Sequence, residues 1–129
     1  AMKGAYSSFG GHGTIDDARR LIVDEVGHDP NKVHFHKGWF QDTVPVDAAA
    51  IGDIALLRLD GDLYASIKVC LDHLYELVVP GGFVVIDDYG YYDGCTRAVD
   101  EFIATNDLDA YLHPADHVPQ YHVYWIKQR

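Results

Sequence analysis

The 129-residue sequence contains few cysteines, few basic residues and no long apolar run. Its two cysteines, Cys70 and Cys95, have no metal-ligand spacing, so we expect reduced thiols rather than a disulfide bridge. Ten lysines and arginines stand against twenty acids, and the formal charge of −10 argues against a nucleic-acid or anionic-membrane surface. No apolar run approaches the ~20 residues of a membrane span, and no basic-then-apolar leader is visible. We therefore expect a cytoplasmic protein.

Glycine and serine dominate the first residues, which predicts a flexible arm over residues 1–14. Gly10, Gly11 and Gly13 do not form a phosphate-binding motif, because no strand precedes them and no Lys-Ser or Lys-Thr follows. The length fits one core, so residues 15–129 are predicted to form a single α/β domain.

The remaining sequence predicts the order helix, strand, strand, helix, strand, helix, strand, strand, which is typical of an α/β domain with a mostly parallel sheet. Helices are predicted from Ile15 to Val26, from Tyr64 to Val79 and from Thr96 to Ala104, and strands are predicted to begin near Asn31, Ile54, Gly82, Ala110 and His122. Loops are predicted at Gly38–Pro45 and Pro114–Gln120, and Val46–Asp53 predicts a short connection with room for one helical turn.

Paired acids follow two of these strands. Asp60 and Asp62 come after the strand at Ile54, and Asp87 and Asp88 come after the strand at Gly82. The helix between the two strands makes them parallel, so as neighbours they would place their carboxyl ends side by side at roughly 4.8 Å spacing. Open α/β sheets bind ligands at that edge.

Four acids at one edge favour a bound cation over the simpler interpretation that each is a solvated turn residue. Two carboxylates about 4 Å apart repel by about 4 kcal/mol at an effective dielectric near 20, and a cation or a shared proton offsets this. Oxygen ligands suit Mg²⁺. Asp60 and Asp62 would face the same side of an extended segment at roughly 6.6 Å, so one could bind metal while the other accepts a proton. Adjacent Asp87 and Asp88 can both reach one ion only where the backbone turns.

The aromatic residues near this edge suggest a substrate surface. Tyr89 and Tyr91 could flank a planar or sugar substrate, whereas core packing is the default for Trp125. The eight histidines show no competing metal site.

Three segments resemble the signature blocks of the macrocin O-methyltransferase family: GWFQDTVP at 38–45, LRLDGDLY at 57–64 and PGGFVVIDDYG at 80–90. Members of that family are S-adenosylmethionine-dependent, Mg²⁺-dependent enzymes that methylate sugar hydroxyls of macrolide and aminocoumarin natural products.

The resemblance implies roles for individual residues. Asp60, Asp87 and Asp88 would be metal ligands, and Asp62 would be the general base. Trp39 and Phe40 would lie near the adenine side of the cofactor. The cofactors would be Mg²⁺ and S-adenosylmethionine, and the acceptor a small-molecule glycoside.

This chain also departs from the family pattern. Full members resemble doubly wound methyltransferase domains whose first strand ends in a glycine-rich cofactor loop and whose second ends in a ribose-binding acid, and neither is present. The expected fold is therefore a truncated Rossmann-like class I methyltransferase sheet of about five strands and about three helices, without the first two family strands. Their loss would leave a sheet edge exposed beside the Ile54 strand, so either the strand at Val33 moves inward or a second copy pairs there, and we expect a homo-oligomer.

Two other functions remain open. The chain could be a catalytically incomplete fragment or paralogue that serves as a binding or assembly module. Metal-assisted hydrolysis at the acids is the least favoured of the three functions, because the sequence shows no phosphate-binding motif.

Overall fold

The structure is a computed structural model that describes residues 13–115 and 122–128. Residues 1–12 of the predicted arm over residues 1–14, and most of the predicted loop at Pro114–Gln120, lie outside these residues. The chain divides into two compact units, Ala1–Lys37 and Gly38–Arg129, which are described separately below. The single domain over residues 15–129 stays a prediction.

The first unit begins with the predicted helix. Helix α1 spans Ile15–Arg19 and continues as a π-helix over Arg20–Glu25. Thr14 and Asp17 form a capping box, in which the Thr14 hydroxyl accepts from the Asp17 amide at 3.1 Å and the Asp17 carboxylate accepts from the Thr14 amide at 3.0 Å. Gly27 follows the helical segment with a φ of 76°, a conformation that glycine adopts without strain.

The prediction of a strand at residues 31–37 is wrong. Pro30–Lys32 form a 3₁₀ turn, in which the Asp29 carboxylate accepts from the Asn31 amide at 2.9 Å, and residues 33–37 belong to no strand. An alternating sequence favours an extended backbone, as at Val33, but a strand also needs a ladder partner. Phe35 instead lies 5.2 Å from the guanidinium of Arg19, measured from its ring centroid.

The second unit contains a four-stranded sheet in the order β1-β2-β4-β3. The sheet has one strand fewer than predicted because residues 31–37 do not contribute. Strands β1 and β2 are parallel, and β4 runs antiparallel to both β2 and β3. The strands are β1 (Ile54–Leu59), β2 (Val78–Ile86), β3 (His113–Pro114) and β4 (Val123–Ile126), and the helices are α2 (Phe40–Ile51), α3 (Tyr64–Leu74, followed by a 3₁₀ turn over Tyr75–Leu77) and α4 (Asp93–Thr105).

Helix α2 contradicts the predicted loop at Gly38–Pro45 and the short connection after it. Pro45 lies inside this helix and cannot donate the usual backbone hydrogen bond. The first turn is held by the Trp39 carbonyl, which accepts from the amide and hydroxyl of Thr43 at 3.0 and 3.1 Å. The packing of α2 against α3, which buries Ala48, stabilises the helix and offsets the backbone hydrogen bond that is lost at Pro45.

The second predicted strand begins earlier than expected. Val78 and Val79 belong to β2 rather than to the preceding helix, and the register against β1 shifts between the pairs Ile54–Val78 and Leu56–Phe83. Gly82 lies in this irregular stretch, where an added Cβ would come within 2.8 Å of the Val79 carbonyl oxygen. The Pro80-Gly81-Gly82 sequence therefore forms a bulge inside the strand and does not precede it.

The core lies on one face of the sheet, between the strands and helices α3 and α4. It includes Leu57, Leu59, Val84, Ile86, Val99 and Trp125, and its sixteen buried hydrophobic residues also include the free thiols Cys70 and Cys95. Packing on this face fixes the register that pairs Leu59 with Ile86. The Asp87 amide donates to the Leu59 carbonyl at 2.9 Å, so the carboxyl ends of β1 and β2 lie side by side. Among the described residues, no helix is long and apolar enough to cross a membrane.

Candidate functional site

Three of the four predicted acids converge where β1 and β2 end. Asp60, Asp62 and Asp88 each offer a carboxylate oxygen, and these oxygens all lie within 4.8 Å of one another. Asp60 and Asp62 come from the segment between β1 and α3, and Asp88 comes from the turn after β2. We call these three residues the acid cluster.

The segment that carries Asp60 and Asp62 has a tightly specified shape. Asp62 has a positive φ of 52°, which aspartate tolerates better than most residues. A hydrogen bond from the Leu63 amide to the Gly61 carbonyl closes a tight turn with Asp62 at its centre. An added Cβ on Gly61 would meet the Ser66 Cβ at 3.2 Å and the Ile67 Cδ1 at 3.3 Å. Glycine therefore allows the segment to lie directly on the first turn of α3.

Asp87 makes different contacts. Its Oδ2 lies 2.6 Å from Nη2 of Arg58, and its Oδ1 lies 3.0 Å from Nδ1 of His122. The same Arg58 nitrogen is 3.4 Å from Oδ2 of Asp60. The hydrogen bond to Asp87 raises the pKa of the Arg58 guanidinium. Arg58 therefore links the two strand ends as a fixed positive charge beside the acid cluster.

The acid cluster contains more negative charge than this arginine balances. Burial, followed by hydrogen bonding to Asp62 and the charge of Asp62, raises the pKa of Asp88 to about 6. Burial and the charge of Asp87 also raise the pKa of Asp60. Both shifts show that ionising these carboxylates together costs free energy, which a further cation at the cluster would reduce.

The donor set fits a hard divalent ion. In an octahedral Mg²⁺ site, with Mg–O distances near 2.0–2.1 Å, neighbouring ligand oxygens are about 2.9 Å apart and opposite ones about 4.2 Å. Separations within 4.8 Å need only small side-chain rotations to meet that geometry. Asp87, which the resemblance implies as a ligand, would have to exchange Arg58 for the ion. The assignments of metal ligands and base stay predictions.

The predicted aromatic residues lie at two places. Trp39 and Phe40 begin α2, and Cε2 of Phe40 is 3.6 Å from the position of a Cβ on Gly61, beside the acid-bearing segment. Tyr91 is exposed and packs edge-on against Tyr92 at 4.7 Å. Tyr89 donates its hydroxyl to Asp100 on α4 at 2.9 Å. The predicted cofactor and substrate contacts of these residues remain predictions.

Sequence reasoning did not predict the contacts of Arg58 and His122 with Asp87, or that of Asp100 with Tyr89. Arg58 did carry a signal, since it is a lone charge within the apolar run of β1. Nothing near His122 in the sequence indicates its contact with Asp87, 35 residues away. Nothing near Asp100 indicates its hydrogen bond with Tyr89, 11 residues away.

A parallel β-α-β unit with acids at its strand ends, extended by the antiparallel strand β4 and then by β3, is an α/β fold with a candidate metal site at the edge of its sheet. The sequence model described as Macrocin-O-methyltransferase (TylF) matches residues 18–127, so the chain belongs to that family. This confirms the resemblance that the three sequence blocks indicated.

Individual relatives support the same assignment. The chain is 43% identical over 98 residues to a demethyldecarbamoylnovobiocin O-methyltransferase of Streptomyces niveus, covering 76% of this chain and 36% of the relative. It is 47% identical over 83 residues to an 8-demethyl-8-(2,3-dimethoxy-alpha-L-rhamnosyl)-tetracenomycin-C 4'-O-methyltransferase of Streptomyces olivaceus, covering 64% of this chain and 31% of the relative. The chain thus spans about a third of the length of these relatives.

Solved structures agree in fold. The O-methyltransferase NovP superimposes with a TM-score of 0.80 at 39% identity, over 90% of this chain and 46% of that one. The calicheamicin methyltransferase CalS11 matches with a TM-score of 0.63 at 24% identity, over 85% of this chain and 43% of that one, which supports the fold alone. The truncated class I methyltransferase fold is therefore confirmed.

Proposed function

We propose that this chain carries the metal-binding and acceptor-binding part of a sugar O-methyltransferase. The reaction would transfer a methyl group from S-adenosylmethionine to a sugar hydroxyl of a small-molecule natural product. The observation that carries the proposal is the convergence of Asp60, Asp62 and Asp88 at the carboxyl ends of two parallel strands. The relatives named above support the reaction class, since they are O-methyltransferases of a novobiocin precursor and a rhamnosyl tetracenomycin.

In this proposal Asp60 and Asp88 hold Mg²⁺, and Asp87 joins them once Arg58 moves aside. When bound, Mg²⁺ would make an acceptor hydroxyl more acidic. Asp62 would accept the proton from that hydroxyl, and S-adenosylmethionine, when bound, would supply the methyl group, so that an O–CH₃ bond would form as the S–CH₃ bond breaks and a neutral thioether leaves. Asp62 suits this role because its backbone is fixed by the turn at Gly61.

Trp39 and Phe40 would contribute an aromatic wall on the cofactor side. Their side chains keep 43% and 39% of their surface exposed, enough for a planar ring to stack on them. The described residues contain no strand followed by a glycine-rich loop, so we assign only this wall to the chain.

Calorimetric titration with Mg²⁺ tests the metal site. We expect binding to the native chain and its loss in Asp60→Asn and Asp88→Asn. Asp72→Asn is the matched control, because Asp72 is an exposed acid paired with Lys68 on α3 and should leave binding unchanged. Absence of any Mg²⁺-dependent heat in the native chain would overturn the metal assignment.

Two further variants separate ligand from base. If Asp87 is a ligand and Asp62 the base, Asp87→Asn weakens Mg²⁺ binding while Asp62→Asn largely preserves it. The reverse result would mean that Asp60, Asp62 and Asp88 hold the ion and that Asp87 is not a ligand. Methyl transfer from S-adenosylmethionine to a glycoside, assayed by mass spectrometry, then tests the reaction itself.

A second candidate function is assembly through the edge of β1. Within the described residues of its own unit, β1 pairs only with β2, so the backbone groups of its other edge have no strand partner there. We propose that a second copy pairs along this edge. Sedimentation velocity should then show a dimer that dissociates in Ala55→Pro, whereas a monomeric native chain would contradict the pairing.

A further inference from the structure

The turn after β2 carries Asp87 and Asp88 and is attached to helix α4 at two places. The Gly90 amide donates to the Thr96 hydroxyl at 2.8 Å, and the Tyr89 hydroxyl donates to Asp100 at 2.9 Å. Thr96 and Asp100 are four residues apart on α4, so they lie on the same face of that helix. The turn is therefore held against one rigid element.

The local backbone shows why these attachments matter. The amides of Tyr91 and Tyr92 both donate to the Asp88 carbonyl, at 3.1 and 3.3 Å, and Gly90 has a φ of 86°. The turn is compact, so a displacement of Tyr89 moves the adjacent Asp88.

We propose that Tyr89 is a positioning residue, whose hydrogen bond to Asp100 fixes the turn so that Asp88 reaches Asp60 and Asp62. The inference rests on the proposed function of the acid cluster as a metal site. It assigns the Tyr89 hydroxyl to the protein scaffold, which leaves the ring face as the part of Tyr89 that could contact a substrate. Residues that orient metal ligands through hydrogen bonds typically change metal affinity 10–100-fold when they are removed.

Mg²⁺ titration of Tyr89→Phe tests this role, and we expect affinity to fall about tenfold. Asp100→Ala should have the same effect, whereas Asp100→Asn keeps an acceptor oxygen and should restore near-native affinity. The double variant Tyr89→Phe/Asp100→Ala should lose no more than either single variant, since both remove one bond.

Tyr64→Phe is the matched control. Tyr64 also donates its hydroxyl to a carboxylate of α4, that of Glu101 at 2.7 Å, but it belongs to α3 and not to the turn. Its removal should change Mg²⁺ affinity less than twofold. Equal losses in Tyr64→Phe and Tyr89→Phe, or native affinity in Tyr89→Phe, would overturn the positioning role.

A metal-free measurement separates this proposal from the metal assignment. Amide hydrogen exchange by NMR should show the Gly90 amide exchanging faster in Tyr89→Phe than in the native chain or in Tyr64→Phe. If native protein binds no Mg²⁺, the metal assignment fails, and this exchange comparison still decides whether Tyr89 fixes the turn. Unchanged exchange at Gly90 would refute the positioning role in either case.

Discussion

Replacing Arg58 with methionine removes the fixed cation beside the acids and leaves a side chain of similar length. Arg58 lies 2.6 Å from Asp87 and 3.4 Å from Asp60, so the variant leaves two carboxylates without their shared partner. In the absence of Mg²⁺ we expect the free energy of unfolding to fall. In the presence of Mg²⁺ we expect most of that loss to be regained, because the ion supplies the missing positive charge.

The magnitude follows from distance and exposure. At 2.6 Å, two unit charges attract by about 6 kcal/mol at an effective dielectric of 20 and by about 1.6 kcal/mol in bulk water. The Arg58 side chain is 53% exposed and that of Asp87 is 19% exposed, so solvent screening places the value near the lower figure. We expect a loss of about 1–2 kcal/mol. Since 1.4 kcal/mol corresponds to a factor of ten in affinity, removal of this competing cation should tighten Mg²⁺ binding by up to about thirtyfold.

Urea unfolding with chelator and with saturating Mg²⁺ measures the stability, and calorimetry measures the affinity. Lys68→Met is the control, because Lys68 is 50% exposed and pairs with Asp72 at 2.8 Å away from the acid cluster. Its stability change should be small and the same with and without Mg²⁺. If Arg58→Met has native stability in chelator and native Mg²⁺ affinity, Arg58 does not neutralise this site and the reasoning is wrong.

Two further predictions follow from the packing and the charge of β2 and its turn. Gly82→Ala should lower the free energy of unfolding, measured in urea, by about 1–3 kcal/mol, because the added Cβ would lie 2.8 Å from Val78 Cγ1 and from the Val79 carbonyl oxygen. Gly13→Ala is the control and should lower it far less, because no atom lies within 4 Å of the added Cβ. Metal-free stability should fall as pH rises from about 4 to about 7. The pKa of Asp88 is about 6 in the folded protein, above its ordinary value of 3.8. The native state therefore binds more protons than the unfolded state in this pH range, and it loses that advantage as the pH rises. Asp88→Asn should flatten that dependence in urea unfolding measured at several pH values, and an unchanged slope would contradict the shift.

The β1-α3-β2 unit could be predicted because its signals are local. Each strand is an apolar run that ends in acids, and α3 has an apolar stripe at helical spacing, so the sequence indicates both the elements and their parallel direction. The convergence of Asp60 and Asp88 follows from that topology. The boundary between α3 and β2 was misjudged because Val78 and Val79 fit the helical stripe as well as the strand.

The misassigned elements depend on tertiary partners. The segment 33–37 has the alternation of a strand, but no neighbouring strand supplies a ladder in the described part of the chain. Gly38–Pro45 was predicted to be a loop, yet Phe40–Ile51 is helical because α2 packs against α3. In both cases the local sequence pattern favoured a different structure, and contacts between residues distant in sequence determined the structure that forms.

The charge arrangement of the site was the least predictable part and has the greatest consequence for function. The sequence predicts that four acids lie together, three of them as ligands and Asp62 as the base, but the register of β1 on β2 gives Asp87 the arginine and leaves Asp60, Asp62 and Asp88 together. An ion that binds the three-acid cluster leaves the Arg58–Asp87 pair in place, whereas an ion that recruits Asp87 must first displace Arg58. The first path would leave Asp62 coordinated and unable to act as a free base, so its proposed role requires the second. Arg58→Met therefore bears on the mechanism as well as on stability, because it removes the competitor that the second path has to displace.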